Sequence, residues 1–90
     1  MKIICVCGLG MGSSLILRMN VEEVLVEAGV KADVEHSDTS SARFEKCDYI
    51  VTTPDLKNSL EGSIGVIVVS ANIVDKEEIK RALVEGGIIS

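Results

Sequence analysis

The residues of this chain best suited to chemistry lie together in Cys7-Gly8-Leu9-Gly10-Met11-Gly12-Ser13-Ser14. Glycine at every second position lets the main chain curl with its N–H groups turned inward. Such a nest, running straight into a helix N-terminus, is a cradle for an anion. Ser13 and Ser14 add hydroxyl donors and are also candidates to cap the helix that follows. A thiol at the head of the cradle feels the same field, which favours thiolate over thiol, so Cys7 is the expected nucleophile. Nucleophile and nest together point to transient S-phosphorylation: attack by Cys7 leaves the phosphoryl oxygens where the donors already point. Gly10 and Gly12 are then expected to hold a positive φ or to approach the phosphate closely.

Other phosphate motifs fail on spacing. A Walker A loop needs Lys before its Ser/Thr, and no Lys lies between Gly8 and Ser14. The dinucleotide fingerprint needs Gly where Ser13 stands, and 90 residues hold barely half such a domain. A tyrosine-phosphatase loop carries Arg at the sixth position after its Cys, and here that position is again Ser13. Without that guanidinium or an obvious general acid, attack by water on a phosphocysteine is slow, which suits a carrier that passes the group on. Two readings stay open beside the carrier: a small cysteine phosphatase, and a module that binds anions without covalent chemistry.

The elements that must position this loop follow from hydrophobic patterning. Lys2 to Cys7 is a short apolar run without alternation, as a strand buried on both faces would be. Leu17, Val21, Val24, Leu25 and Ala28 recur at helical spacing, Arg18, Glu22, Glu23 and Glu27 cover the other side, and Gly29 is a left-handed stop. Lys31 to His36 alternates like an edge strand with one wet face, and Asp48 to Thr53 reads as an interior strand. Thr53-Pro54 opens a short helix over Leu56 to Leu60, closed by Gly62. Ile64 to Ser70 is a fourth strand. Asp75, with Glu78 three residues on, opens a last helix that buries Ile79, Ala82 and Leu83. Repeated βα units with right-handed crossovers give one α/β domain over residues 1–90: an open four-stranded parallel sheet of order 2-1-3-4. Thr52, Thr53 and Asp55 then follow a neighbour of the first strand, and either border the loop or merely cap.

Composition removes whole classes of function. The net charge is −5, and the nine basic residues are scattered, which excludes a nucleic-acid partner. No apolar run approaches the about 20 residues needed to span a bilayer, so no membrane insertion is expected. Cys5, Cys7 and Cys47 make neither a disulfide framework nor a zinc spacing and fit a reducing cytoplasm. Cys5 and Cys47 are expected in packing roles, and His36 as a solvated side chain. No metal or organic cofactor is expected.

The run ICVCGLGMGSSLILRM resembles the IIB components of sugar phosphotransferase systems. Within these it is most similar to the ascorbate-type branch of the lactose/cellobiose-like IIB superfamily, whose loop reads Cys-Gly-x-Gly-x-Gly-Ser-Ser. Cys7, Gly8, Gly10, Gly12, Ser13 and Ser14 match it throughout, and ADVEHSDTSS and DYIVTTPDL agree more loosely. The resemblance implies a cytoplasmic phosphoryl carrier in which Cys7 takes phosphate from a phosphohistidine on EIIA. It then passes the group to a sugar, ascorbate or a related substrate, bound by the membrane-embedded EIIC. The residues from Gly8 to Ser14, Leu9 and Met11 included, would form the phosphate-binding loop. The exposed apolar tips of Leu9 and Met11 would also suit docking of either partner. The family fold, a four-stranded parallel sheet with helices on both faces, agrees with the elements read above.

Overall fold

Four parallel strands pair side by side in the order β2-β1-β3-β4, the order that the patterning predicts. The computed structural model describes residues 1–7 and 11–89. Along the chain run β1 (Lys2–Val6), α1 (Met11–Glu27), β2 (Asp33–His36), α2 (Thr39–Phe44), β3 (Tyr49–Thr52), β4 (Val66–Val69) and α3 (Lys76–Glu85). Two 3-10 turns, Pro54–Leu56 and Asn58–Leu60, lie between β3 and β4. Every strand is shorter than its apolar run because pairing lasts only as far as the neighbour does. β1 and β3 run together from Ile3↔Tyr49 to Val6↔Thr52, and β3 and β4 from Tyr49↔Val66 to Thr52↔Val69. Cys7, Thr53 and Ser70 therefore fall just outside strands that the apolar runs would have included.

Alternation sorts the side chains into two cores. Ile3, Cys5, Val51 and Val68 meet Leu17, Val21, Val24 and Leu25 of α1 and Ile79, Ala82 and Leu83 of α3. On the opposite face Ile4, Val6 and Ile50 meet Ala42 of α2 and Leu60. Helices thus cover both faces, and β1 contributes to both cores. β2 is the half-wet edge expected, with only Val34 of its four residues buried.

The helices depart from expectation in instructive ways. α1 begins at Met11, so Gly12, Ser13 and Ser14 lie within its first turn and neither serine is its N-cap. At the other end Gly29, at φ 73°, closes a Schellman turn: its N–H reaches the Val26 carbonyl and that of Val30 reaches Leu25. Ala28 lies beyond the last helical residue and is exposed, not on the buried face. The outer side of α1 is also less polar than its charges suggest, since Leu15, Ile16, Met19 and Val26 are all exposed there.

α2 was not anticipated. It buries only Ala42, too little for any periodicity, and its one local mark is Asp38, whose carboxylate accepts from the Ser41 N–H at 2.7 Å. The expected helix over Leu56 to Leu60 is instead the pair of 3-10 turns, too short for a 3.6-residue repeat to settle. α3 starts as predicted: Asp75 accepts from the N–H groups of Glu77 and Glu78 at 3.0 and 3.4 Å. An ion pair between Lys76 and Glu23 ties it to α1.

Gly86 ends α3 with an ordinary helical φ of −77°, so its need for glycine is steric. A Cβ there would lie 2.5 Å from Cγ2 of Val68, a buried, β-branched residue that cannot swing away. Gly86→Ala is expected to destabilise the fold by about 1–3 kcal/mol in urea titration. Adding Val68→Ala should cost less than the two single losses summed, because it removes the clashing methyl.

Candidate functional site

In a parallel sheet all strands point one way, so the segments leaving them gather at one edge, where ligands of such folds bind. Cys7 leaves β1, the strand buried on both faces, and is itself half-buried. α1 starts four residues later at Met11. The main-chain N–H groups of Met11, Gly12 and Ser13 occupy the first helical turn, which lacks intrahelical carbonyl partners and carries the positive end of the helix dipole. The structure thus brings Cys7 and the first turn of α1 to the same end of the sheet. Ser14 is buried and Ser13 half-buried in that turn. Of the other loop residues, Met11 opens α1, and Gly8, Leu9 and Gly10 lie outside the described residues.

Of the two expectations for Gly12, positive φ is not met; among the described residues only Gly29, Gly62 and Gly87 have it. Gly12 sits inside a helix, where glycine is unfavourable by about 1 kcal/mol relative to alanine. Nor is it packed against a neighbour among the described residues, for a Cβ added there would meet none of them within 4 Å. Neither backbone geometry nor packing asks for glycine here. Gly12 is exposed, so the space before it is open to solvent and to an incoming group alike.

The end of β3 supplies hydroxyls. Thr52 is fully buried and its Oγ1 donates to the Val6 carbonyl at 2.9 Å, pinning the last peptide of β1 immediately before Cys7. Thr53 is buried beside it, while Asp55 is exposed in the first 3-10 turn. Ser70 follows β4, is buried, and donates from its hydroxyl to the Asn72 carbonyl at 3.1 Å. Sequence reasoning missed Ser70, because a serine ending an apolar run reads simply as a turn. The Asn72 segment is in turn fastened to α1, where the Asn20 amide donates to the Ile73 carbonyl at 2.7 Å.

The other two cysteines lie away from this edge. Cys5 is buried in the core, and burial first, then the Glu22 carboxylate, pushes its thiol up to about 12. Cys47 precedes β3 and so sits at the far end of the sheet from Cys7. Its sulfur is 2.7 Å from where a Cβ on Gly65 would be, and burial followed by Glu45 raises its thiol. His36 is exposed at the end of β2, at the same edge of the sheet as Cys7 but one strand over. No three His, Cys, Asp or Glu side chains among the described residues are grouped to hold a metal ion. Among these residues, too, no helix is long and apolar enough to cross a membrane.

The parallel sheet sets a cysteine at the head of the first helix, a frame that phosphoryl carriers and cysteine phosphatases can both use. Residues 2–85 match the family described as PTS system, Lactose/Cellobiose specific IIB subunit, and the chain belongs to that family of phosphotransferases. It is 30% identical over 86 residues to the ascorbate-specific PTS system EIIB component of Mycoplasma pneumoniae, covering 92% of this chain and 90% of that one. It also shares its fold with the lactose-specific IIB domain of Streptococcus pneumoniae, at a TM-score of 0.58 and 17% identity over 94% of this chain and 92% of that one.

Two predictions follow from the three thiols. At pH 8 an alkylating reagent should label Cys7 first, Cys47 more slowly and Cys5 only on unfolding, as read by peptide mass, and Cys7→Ser should remove the fast phase. Cys5 also sets a pH dependence. Its folded thiol keeps its proton up to about 12, whereas the unfolded thiol releases it near 9. The unfolded chain therefore loses the proton first, and stability falls as pH rises through that window, by up to about 1.4 kcal/mol per pH unit. Urea midpoints between pH 8 and pH 11 should show this decline in the wild type and a shallower one in Cys5→Ala.

Proposed function

We propose that Cys7 is the phosphorylated residue of this IIB component. In this reading its thiolate attacks the phosphorus of a phosphohistidine on IIA, forming an S–P bond as the N–P bond breaks and the imidazole leaves. A hydroxyl of the sugar held by the membrane partner IIC then attacks the same phosphorus. The O–P bond forms, the S–P bond breaks, the thiolate of Cys7 is restored and the hydroxyl proton passes to solvent. Both steps take place at the cytoplasmic side, and the 30% identity to an ascorbate-specific component favours ascorbate or a related sugar as the acceptor. The phosphoryl oxygens rest on the main-chain donors between Gly8 and Ser14, with the serine hydroxyls beside them.

The observation that carries this reading is the unfilled space before Gly12, in the first helical turn after Cys7. A helix that keeps glycine where alanine would be more favourable, with no neighbour to avoid among the described residues, is consistent with room reserved for a group that arrives and leaves. Fixed donors at that spot stabilise charge in the transition state without having to reorganise. Ser13 in the place of a phosphatase arginine favours a carrier over hydrolysis. Leu15, Ile16 and Met19, exposed along the first half of α1, supply apolar surface for the two partners to cover in turn.

Intact-protein mass spectrometry tests this after incubation with phosphoenolpyruvate, the two general phosphotransferase proteins and a IIA of an ascorbate-type system. Wild type should gain one phosphoryl group and Cys7→Ser none. Turnover of an aryl phosphate by wild type would instead mark a phosphatase, and anion binding kept by Cys7→Ser with no adduct on wild type a passive module. Gly12→Ala should melt at the same temperature or higher, by the helix preference of about 1 kcal/mol, while its phosphorylation slows at least tenfold. Equal loss of stability and transfer in that variant would refute a reserved space.

A further inference from the structure

Thr53 carries a buried hydroxyl that the fold does not use. The residue is 5% exposed, and its Oγ1 has no hydrogen-bond partner among the described residues. A buried, unpaired hydroxyl is unfavourable, and valine would fill the same volume without that penalty. The ordinary explanation for threonine before proline is helix capping, and it fails here. Thr53 does occupy the N-cap position of the first 3-10 turn, with Pro54 after it, but its side chain makes no capping bond. The Leu56 N–H goes instead to the main-chain carbonyl of Thr53 at 3.1 Å.

Register locates the unused hydroxyl. The last paired row of the sheet is Val6, Thr52 and Val69, so the next row is Cys7, Thr53 and Ser70. By alternation Cys7 and Thr53 fall on the face of Cys5 and Val51, the face that α1 covers. The hydroxyls flanking Thr53 are both engaged, Thr52 with the Val6 carbonyl and Ser70 with the Asn72 carbonyl. One donor in this row is thus left over, next in register to the proposed phosphoryl acceptor.

We infer that Thr53 is a phosphoryl-binding residue: its Oγ1–H donates a hydrogen bond to an oxygen of the phosphoryl group carried on Cys7. The inference rests on the reading of Cys7 as the phosphorylated residue. It also accounts for the unpaired state of the hydroxyl, because the acceptor arrives only with the phosphoryl group. No bond to Thr53 is made or broken in either transfer; its proton stays on Oγ1 and stabilises charge on the phosphoryl oxygens.

The test compares wild type, Thr53→Val, Thr53→Ser and Thr53→Ala. Each is supplied with phosphohistidine IIA of an ascorbate-type and of a lactose-type system and followed by intact mass and by phosphorus NMR. Thr53→Val should melt no lower than wild type, yet accept the phosphoryl group about tenfold more slowly, the loss of one hydrogen bond to a charged oxygen. Its phosphocysteine resonance should be displaced from that of wild type. Thr53→Ser should recover the wild-type rate and resonance. Thr53→Ala, which opens space instead of filling it, should follow Thr53→Val in rate and guards against misfolding of the valine variant. If wild type is phosphorylated on Cys7 while Thr53→Val matches it in rate and resonance, the role of Thr53 is overturned and that of Cys7 stands. A Thr53→Ser as slow as Thr53→Val would also overturn it, since the methyl would then be what matters. If wild type accepts nothing from either donor, the reading of Cys7 falls and the inference falls with it.

Discussion

Burial of β1 on both faces is the constraint from which the rest of this molecule follows. Ile3 and Cys5 lie in one core and Ile4 and Val6 in the other, and all four are buried with β2 and β3 paired to either edge. A strand held on four sides has no freedom to shift along its axis, since a slip of one residue would exchange the two cores. Whatever follows its last residue is therefore placed as firmly as the core is. That residue is Cys7, and the Thr52 hydroxyl on the Val6 carbonyl fixes the peptide just before it. Positional accuracy at the candidate site thus derives from aliphatic packing well below it.

The same constraint separates the three thiols. Cys5 and Cys7 are two residues apart and share a face by alternation, yet one is sealed between strand and helix and the other stands beyond the last pairing. Depth in the sheet keeps the proton on Cys5, with a value pushed up to about 12. Cys47 shows a third environment, partly covered at the opposite end of the sheet and near the acidic Glu45 and Asp48. Strand direction decides which end of the sheet each of them occupies, so chain topology selects the thiol that meets a helix N-terminus.

Much of this arrangement is legible in the sequence because it is set by long apolar runs. The four strands, their order and the buried faces of α3 and most of α1 follow from periodicity, and Gly29 and Asp75 mark helix ends by local geometry. Features resting on few contacts are not legible in that way. α2 buries one alanine, the turns after Pro54 are shorter than one period, and α1 starts ahead of the serines that look like its caps. At the site, Cys7 and its glycines stand out as residue types, but the reason for Gly12 appears only when a Cβ can be placed on it. The condition of Thr53 is likewise invisible without coordinates, because threonine before proline has a sufficient local explanation that the structure then removes.

The donors nearest Cys7 along the chain and in register have one property in common, which bears on the kind of chemistry they serve. Main-chain amides and the hydroxyls of Ser13, Ser14, Thr52, Thr53 and Ser70 are neutral. A guanidinium opposite a phosphoryl dianion would strengthen binding through charge-assisted, bidentate contacts and stabilise the bound state well beyond what neutral donors achieve. For hydrolysis that is useful, since the product leaves as free phosphate. For a carrier it is a disadvantage, because the group must leave for the next acceptor with little loss or gain of free energy. Neutral donors in fixed directions still stabilise the transition state, since their benefit comes from pre-organisation rather than net charge. A net charge of −5 acts in the same sense, weakening the hold on an anion at long range while the local amides supply it at short range. The chemistry of a relay, firm in geometry and mild in affinity, is thus what this set of side chains is physically suited to provide.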